Sequence, residues 1–210
     1  MARKVAGNGT SRASTTMTKQ ELEQWFETAP IMMREDLSLT ENFFKYVGIP
    51  KAGWSYNNDG SIDVCTHLVL PGFMGAFPPI RLNKVNGTVR TSRTTPNLIN
   101  CPKHITHDLI CDDSDVVYTL EGVVRVDGCV FCTCLTSLKG VESTNADMTI
   151  GGVLTISSKC THLVGLAYIE GVRRIQLMKG DQFITVKVIH DPFLWQEKLL
   201  DLGLVKQAQI

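Results

Sequence analysis

The chain has no surplus of charge of either sign. Its 210 residues carry 21 Lys and Arg against 21 Asp and Glu, for a formal net charge of zero. That balance argues against bulk nucleic-acid binding, which wants a basic face to neutralise phosphates. No run of about 18 apolar residues exists, so no membrane-spanning helix is expected. The opening stretch, MARKVAGNGTSRASTTMTKQ, lacks the apolar core of a secretory signal. With seven cysteines, an odd number, the expectation is reduced thiols in a cytosol. No glycine-rich phosphate loop follows a strand signal and precedes a helix. No nucleophile stands in a recognisable arrangement with a base and an orienting group, and no carboxylate pair frames a cleft. A catalytic function would need a constellation that the sequence does not display. The expectation is a protein that is not an enzyme and has no cofactor.

What is present is a repeat. Apolar pairs flanking one residue recur at Leu68-Val69-Leu70, Val89-Arg90-Thr91, Leu109-Ile110-Cys111, Val130-Phe131-Cys132, Leu154-Thr155-Ile156 and Ile175-Gln176-Leu177. Their first residues are separated by 21, 20, 21, 24 and 21 positions. Four residues upstream of each stands another small residue: Val64, Val85, Ile105, Val126, Ile150 and Gly171. A corner residue follows, Phe77, Leu98, Leu120, Leu138 or Leu163, and two positions later a turn former, Pro79, Asn100, Gly122, Gly140 or Gly165. Side chains alternate along a strand, so the flanking pair faces one way and stacks on its counterparts in the next rung. One rung cannot bury that face alone, so several must stack. The expected fold is a β-rich repeat protein, a parallel-sheet solenoid of the α/β leucine-rich-repeat-like kind, with helical caps at both ends.

The organisation expected along the chain is a disordered basic arm over 1–17, a helical N-terminal cap over 18–55, the solenoid over 56–178, and a C-terminal cap with a helix over 179–210. The arm holds Arg3, Lys4 and Arg12 and no acid; it is either a solvated tail or a contact for a phosphate or acidic partner. Thr18-Lys19-Gln20-Glu21 has capping-box form. Ser38–Val47 reads as a second short helix with Phe43, Phe44 and Val47 on one face, ended by Gly48 and Pro50. Beyond a turn at Lys179-Gly180-Asp181, Gln182–Ile189 reads as a closing strand. Asp191 can N-cap a last helix with Pro192 at its first position, and Trp195, Leu199, Leu202 and Leu204 supply its apolar side.

Two clusters invite a metal reading. In Cys129-x-x-Cys132-x-Cys134, strand parity points Cys129 and Cys132 to opposite sides, too far apart for one ion at about 2.3 Å; buried packing is the simpler role. In Cys101-Pro102-Lys103-His104-Ile105-Thr106-His107, with Cys111 beyond, His107 and Cys111 are about 13 Å apart along an extended strand, leaving Cys101, His104 and His107 as the largest possible set. A loop with two partly exposed histidines is the alternative. No metal is expected at either. Asp112-Asp113-Ser114-Asp115 reads as a solvated acidic loop.

The outward-facing positions are more informative. Between the inward residues of the rungs lie Val69, Arg90, Ile110, Phe131, Thr155 and Gln176; two positions upstream lie His67, Thr88, Asp108, Cys129, Val153 and Arg174. Apolar anchors with Arg beside them are what a binding patch requires. The candidate partner-binding residues are therefore Val69, Arg90, Ile110, Phe131, Thr155, Asp108 and Arg174. A cap or a second copy covering the same row is the alternative.

Three places resemble a known family, the leucine-rich-repeat-like proteins of tailed bacteriophages. Asp59-Gly60-Ser61-Ile62-Asp63-Val64 resembles its opening DGSIDV. Leu135-Thr136-Ser137-Leu138-Lys139-Gly140-Val141 resembles its corner, L-T-S-L-x-G. Gly171–Leu177 and Gln196–Leu204 resemble its last rung and terminal helix. The likeness spans Tyr56–Ile210. Val85-Asn86-Gly87, Val126-Asp127-Gly128 and Ile150-Gly151-Gly152 match the V-x-G strand start of the family, whereas Ile105-Thr106-His107 puts His in place of Gly and Asn97–Cys101 departs from its corner. The resemblance implies a phage protein in the host bacterial cytoplasm that recognises a host protein through its solenoid surface, as an inhibitor of defence or a take-over factor. A structural, virion-associated or homo-oligomeric module is the second reading. An enzyme or nucleic-acid binder using the basic arm and the His/Cys loop is the third.

Overall fold

The computed structural model describes residues 37–72, 74–111, 119–138, 148–179 and 181–209. In it each repeat supplies two short strands rather than one. The strands are β1 (Trp54–Tyr56), β2 (Ile62–Val64), β3 (Leu68–Val69), β4 (Leu82–Val85), β5 (Val89–Arg90), β6 (His104–Ile105), β7 (Leu109–Ile110), β8 (Arg125–Val126), β9 (Val130–Cys132), β10 (Thr149–Ile150), β11 (Val153–Ser157), β12 (Arg174–Lys179) and β13 (Gln182–Lys187). They form two sheets, ordered β1-β2-β4-β6-β8-β10 and β13-β12-β11-β9-β7-β5-β3. Every pairing between turns is parallel, so the chain is a parallel-sheet β-solenoid of about five turns.

The six triplets meet in the expected register: Leu68 on Val89, Val89 on Leu109, Leu109 on Val130, Val130 on Leu154 and Leu154 on Ile175. The upstream residues are not on the same strand. Val85, Ile105, Val126 and Ile150 stack in the other sheet. The strand-like run therefore bends midway, and the V-x-G pattern explains how. At the bend the backbones of successive turns stack closely: His107 N donates to Gly87 O at 3.2 Å, Gly128 N to His107 O at 3.0 Å, and Gly152 N to Gly128 O at 2.9 Å. A Cβ on Gly128 would lie 2.7 Å from His107 O, and one on Gly152 2.8 Å from Gly128 O. Backbone approach that close has no room for a side chain.

The core is one continuous set of stacked columns. All of Leu68, Val89, Leu109, Val130, Leu154 and Ile175 are fully buried, as are the corner residues Phe77, Leu98, Leu120, Leu138 and Leu163. The corners turn through left-handed backbone at Asn100 (φ 63°) and Gly122 (φ 95°). A Cβ on Gly122 would also run into Leu98 O of the preceding turn.

Each sheet ends in an antiparallel strand: β1 on β2, and β13 on β12. Strand β1 joins β2 through a turn at Asn57–Gly60, where Gly60 N donates to Asn57 O at 3.0 Å. That turn is stapled by the DGSIDV residues themselves. Asp59 accepts from Ser61 N at 3.0 Å, and Asp63 accepts from Asn57 Nδ2 at 3.0 Å and from Asn83 Nδ2 at 2.7 Å. Helix α1 (Leu37–Tyr46) buries Phe43 and Phe44, with Phe44 stacked on Trp54 at 4.6 Å between ring centres. Helix α2 (Pro192–Asp201) starts at Asp191, whose carboxylate accepts from Phe193 N and Leu194 N, both at 3.0 Å, with Pro192 at its first position. It rests on the 3₁₀ turn Leu163–Tyr168, where Trp195 Nε1 donates to Leu163 O at 2.7 Å. Trp195 and Leu199 are buried and Leu204 packs against the core, but Leu202, expected on the same side, is 43% exposed. The basic arm over 1–17, the capping-box helix at Thr18–Glu21, the acidic stretch Asp112–Asp115, Gly140 and Gly180 lie outside the described residues.

Candidate functional site: the outer face of the second sheet

The outer row of the second sheet runs unbroken across the turns. Val69 pairs with Arg90, Arg90 with Ile110, Ile110 with Phe131, Phe131 with Thr155, and Thr155 with Gln176. Val69 and Arg90 are exposed, and Ile110 and Phe131 are half-buried. Thr155, counted among the outward candidates, is only 3% exposed: it sits between Phe131 and Gln176 and donates from Oγ1 to Gln176 Oε1 at 3.2 Å. It is a covered position in the row.

The row two residues upstream has a structural job that its sequence did not announce. His67 Nδ1 accepts from Thr88 N at 2.9 Å, Asp108 Oδ1 from Cys129 N at 2.7 Å, and Cys129 Sγ from Val153 N at 3.4 Å. At these bends a side chain from one turn supplies the acceptor for an amide of the next. Asp108 thus spends one carboxylate oxygen on the scaffold, and its bond to a backbone N–H is charge-assisted. The signal was an acceptor-bearing residue at one fixed repeat position. Arg174, in the same row, is exposed on β12.

The candidate metal residues disperse. Cys132 is fully buried in the inward column between Cys111 and Ile156, and Cys129 is half-buried in the outward row. Cys132 Sγ lies 3.9 Å from Cys134 Sγ. Hydrogen bonds with the neighbouring thiols Cys111 and Cys134, and then burial, push the Cys132 thiol well up; burial does the same to Cys101 and raises Cys160 to about 12. Such thiols stay protonated, which suits them to packing rather than to ligation. His104 is engaged by a carboxylate: its Nε2 pairs with Asp127 Oδ2 at 2.7 Å, while Arg125 Nε holds Asp127 Oδ1 at 2.7 Å. Burial alone would raise the Asp127 pKa, but the hydrogen bonds and charges of His104 and Arg125 outweigh it and hold the carboxyl below its ordinary range. His107 instead meets the edge of His67, 6.2 Å between ring centres. Among the described residues no three of His, Cys, Asp or Glu converge as metal ligands would.

Among the described residues a Ser–His contact joins two turns. Ser137 Oγ is 3.1 Å from His162 Nδ1, and Thr161 Oγ1 is 2.9 Å from the same nitrogen. A hydrolytic triad needs an acid on one ring nitrogen and the serine on the other. Here two hydroxyls share Nδ1, and the arrangement fixes a left-handed His162 (φ 57°) at the corner. Among the described residues no helix is long and apolar enough to cross a membrane. Compared with known proteins, the chain matches no family model, no curated protein and no solved structure.

Proposed function

We propose that the protein is a non-enzymatic binding module that holds a partner protein against the outer face of its second sheet. The observation that carries this reading is the unbroken row Val69, Arg90, Ile110, Phe131, in which apolar side chains and an arginine stand in register on consecutive turns. Adjacent strands lie about 4.8 Å apart, so Arg90 and Phe131, two turns apart, span roughly 10 Å and can engage one feature of a partner together. The face is built on a backbone fixed by stacking, so little ordering entropy is lost on binding. The resemblance to leucine-rich-repeat-like phage proteins supports a setting: a bacteriophage-encoded protein in the host cytoplasm, acting on a host bacterial protein as an inhibitor of defence or of another take-over target. In that reading the solenoid is leucine-rich-repeat-like, with α1 and α2 as its helical caps.

The test is capture of a stoichiometric protein from uninfected bacterial lysate, followed by affinities for variants. Phe131→Ala or Arg90→Glu should weaken binding by about 2 kcal/mol or more, with circular dichroism unchanged, while Gln176→Ala, toward the end of the row, should cost less. If both central changes are silent and deletion of residues 1–17 destroys binding, the function lives in the basic arm and the proposal fails.

A further inference from the structure

Among the described residues, the last strand of the solenoid is paired on one side only. β13 closes the second sheet by pairing antiparallel with β12, and nothing described pairs with its other edge. A free edge is a row of unmatched N–H and C=O groups, and proteins usually blunt it with charge, proline or a covering element. Here the edge carries Phe183, 55% exposed, and Ile184, 45% exposed. Ile184 stands opposite Leu177, in the line of inward-facing residues. It is half-exposed because, among the described residues, no further turn covers the end of that column. A solenoid normally needs a polar outer surface at this position.

The hydrogen-bond parity of β13 says which residues face outward along the edge. Val188 N donates to Arg173 O at 3.0 Å, so Val188 and, by alternation, Val186, Ile184 and Gln182 direct their backbone groups at β12. Phe183, Thr185 and Lys187 direct theirs at the free edge. In an antiparallel pair between two copies, edge-facing residues must meet edge-facing residues. One register that satisfies this sets Phe183 opposite Thr185 of the second copy. It places Ile184 on the two-fold axis and brings Asp181, at the turn end of β13, beside Lys187 of the second copy. Registers centred on Phe183 or Thr185 give no such charge match. Lys187 needs an acid: across β12 it faces Arg174 directly, a like-charge pair, and among the described residues neither makes an ion pair.

We propose that this chain self-associates through β13, two copies pairing antiparallel about Ile184 with Asp181 of each beside Lys187 of the other. The pairing joins the two second sheets into one and covers the open end of both cores. It does not cover the outer row of Val69, Arg90, Ile110 and Phe131, so it stands independently of the function proposed above.

Sedimentation velocity of the full chain over a concentration series tests it. The native protein should reach a mass of twice 23.2 kDa. Lys187→Glu sets acid beside Asp181 at both ends and should raise the dimer Kd at least about tenfold. Asp181→Lys added to Lys187→Glu should restore the dimer, which a merely destabilised fold would not do. Thr185→Pro removes an edge-facing N–H that the β12 ladder does not use and should leave a folded monomer. The proposal is overturned if the native chain stays monomeric, as it would were this edge reserved for a different protein. A dimer indifferent to Lys187→Glu and Thr185→Pro, or one lost on Phe131→Ala, overturns it equally. Failure of the charge swap to restore association refutes the register.

Discussion

Replacing Gly128 by Ala should destabilise this protein well beyond what a surface glycine costs. The new methyl would lie 2.7 Å from His107 O and 2.8 Å from His107 C, and would press on Asp108 Oδ1. Relief requires the turn to move outward by roughly 0.5 Å, toward ordinary carbon–oxygen contact. That displacement stretches two bonds that set the spacing of the turns, Gly128 N to His107 O at 3.0 Å and Cys129 N to Asp108 Oδ1 at 2.7 Å. The first is an ordinary backbone bond and the second is charge-assisted, so losing both would cost about 2–4 kcal/mol together, and stretching them about half of that. Gly72→Ala is the control: an added Cβ there meets nothing within 4 Å, and the change should be neutral or stabilising by up to about 1 kcal/mol. Urea unfolding followed by circular dichroism measures both. The reasoning is refuted if Gly128→Ala unfolds within about 0.5 kcal/mol of the native protein, because the bend would then tolerate a side chain and close stacking would not explain the V-x-G pattern.

Thr91 Oγ1 is buried without a hydrogen-bond partner among the described residues, in the inward column between Leu70 and Cys111. Thr91→Val keeps the shape and removes the stranded hydroxyl, so it should raise the unfolding free energy by about 1 kcal/mol; a loss would mean the hydroxyl is satisfied. Acid should also loosen the first sheet. The Asp127 carboxyl is held below its ordinary 3.8, so its contribution is complete above that value and is lost as the pH falls through the lower folded-state pKa. Because Asp127 is 36% exposed, solvent screening keeps the effect under about 1 kcal/mol. Stability measured from neutral pH to below about pH 4 should fall more steeply for the native chain than for Asp127→Asn; parallel curves would show that the His104 and Arg125 contacts are not stabilising.

The register of the second sheet was legible because the repeat states it. A period near 21 brings Leu109 onto Val130 and Leu138 into a corner, and burying those columns leaves few alternatives for a chain with 43% hydrophobic residues. The same reasoning placed Asp191 and Pro192 at the start of the last helix, since capping depends on adjacent residues alone. Val69, Arg90, Ile110 and Phe131 could be assigned to one row by alternation, which is also local.

What local pattern could not decide was anything set by contact between turns. Alternation is unchanged whether Val126 and Val130 share a strand or lie in two sheets, because four residues of extended chain and four residues around a bend both turn the side chains inward. The close approach of Gly128 to His107 decided it. Asp108 and Cys129 read as surface residues until the next turn brought an amide to each. Thr155 looked open until Phe131 and Gln176 closed over it. Sequence alone determined which residues face the core and how far apart they recur, because both follow from periodicity along one strand. Only the tertiary structure decided where the strand bends, which polar side chains are spent on the scaffold, and that β13 ends with an open edge, because each depends on what the neighbouring turn does or does not supply.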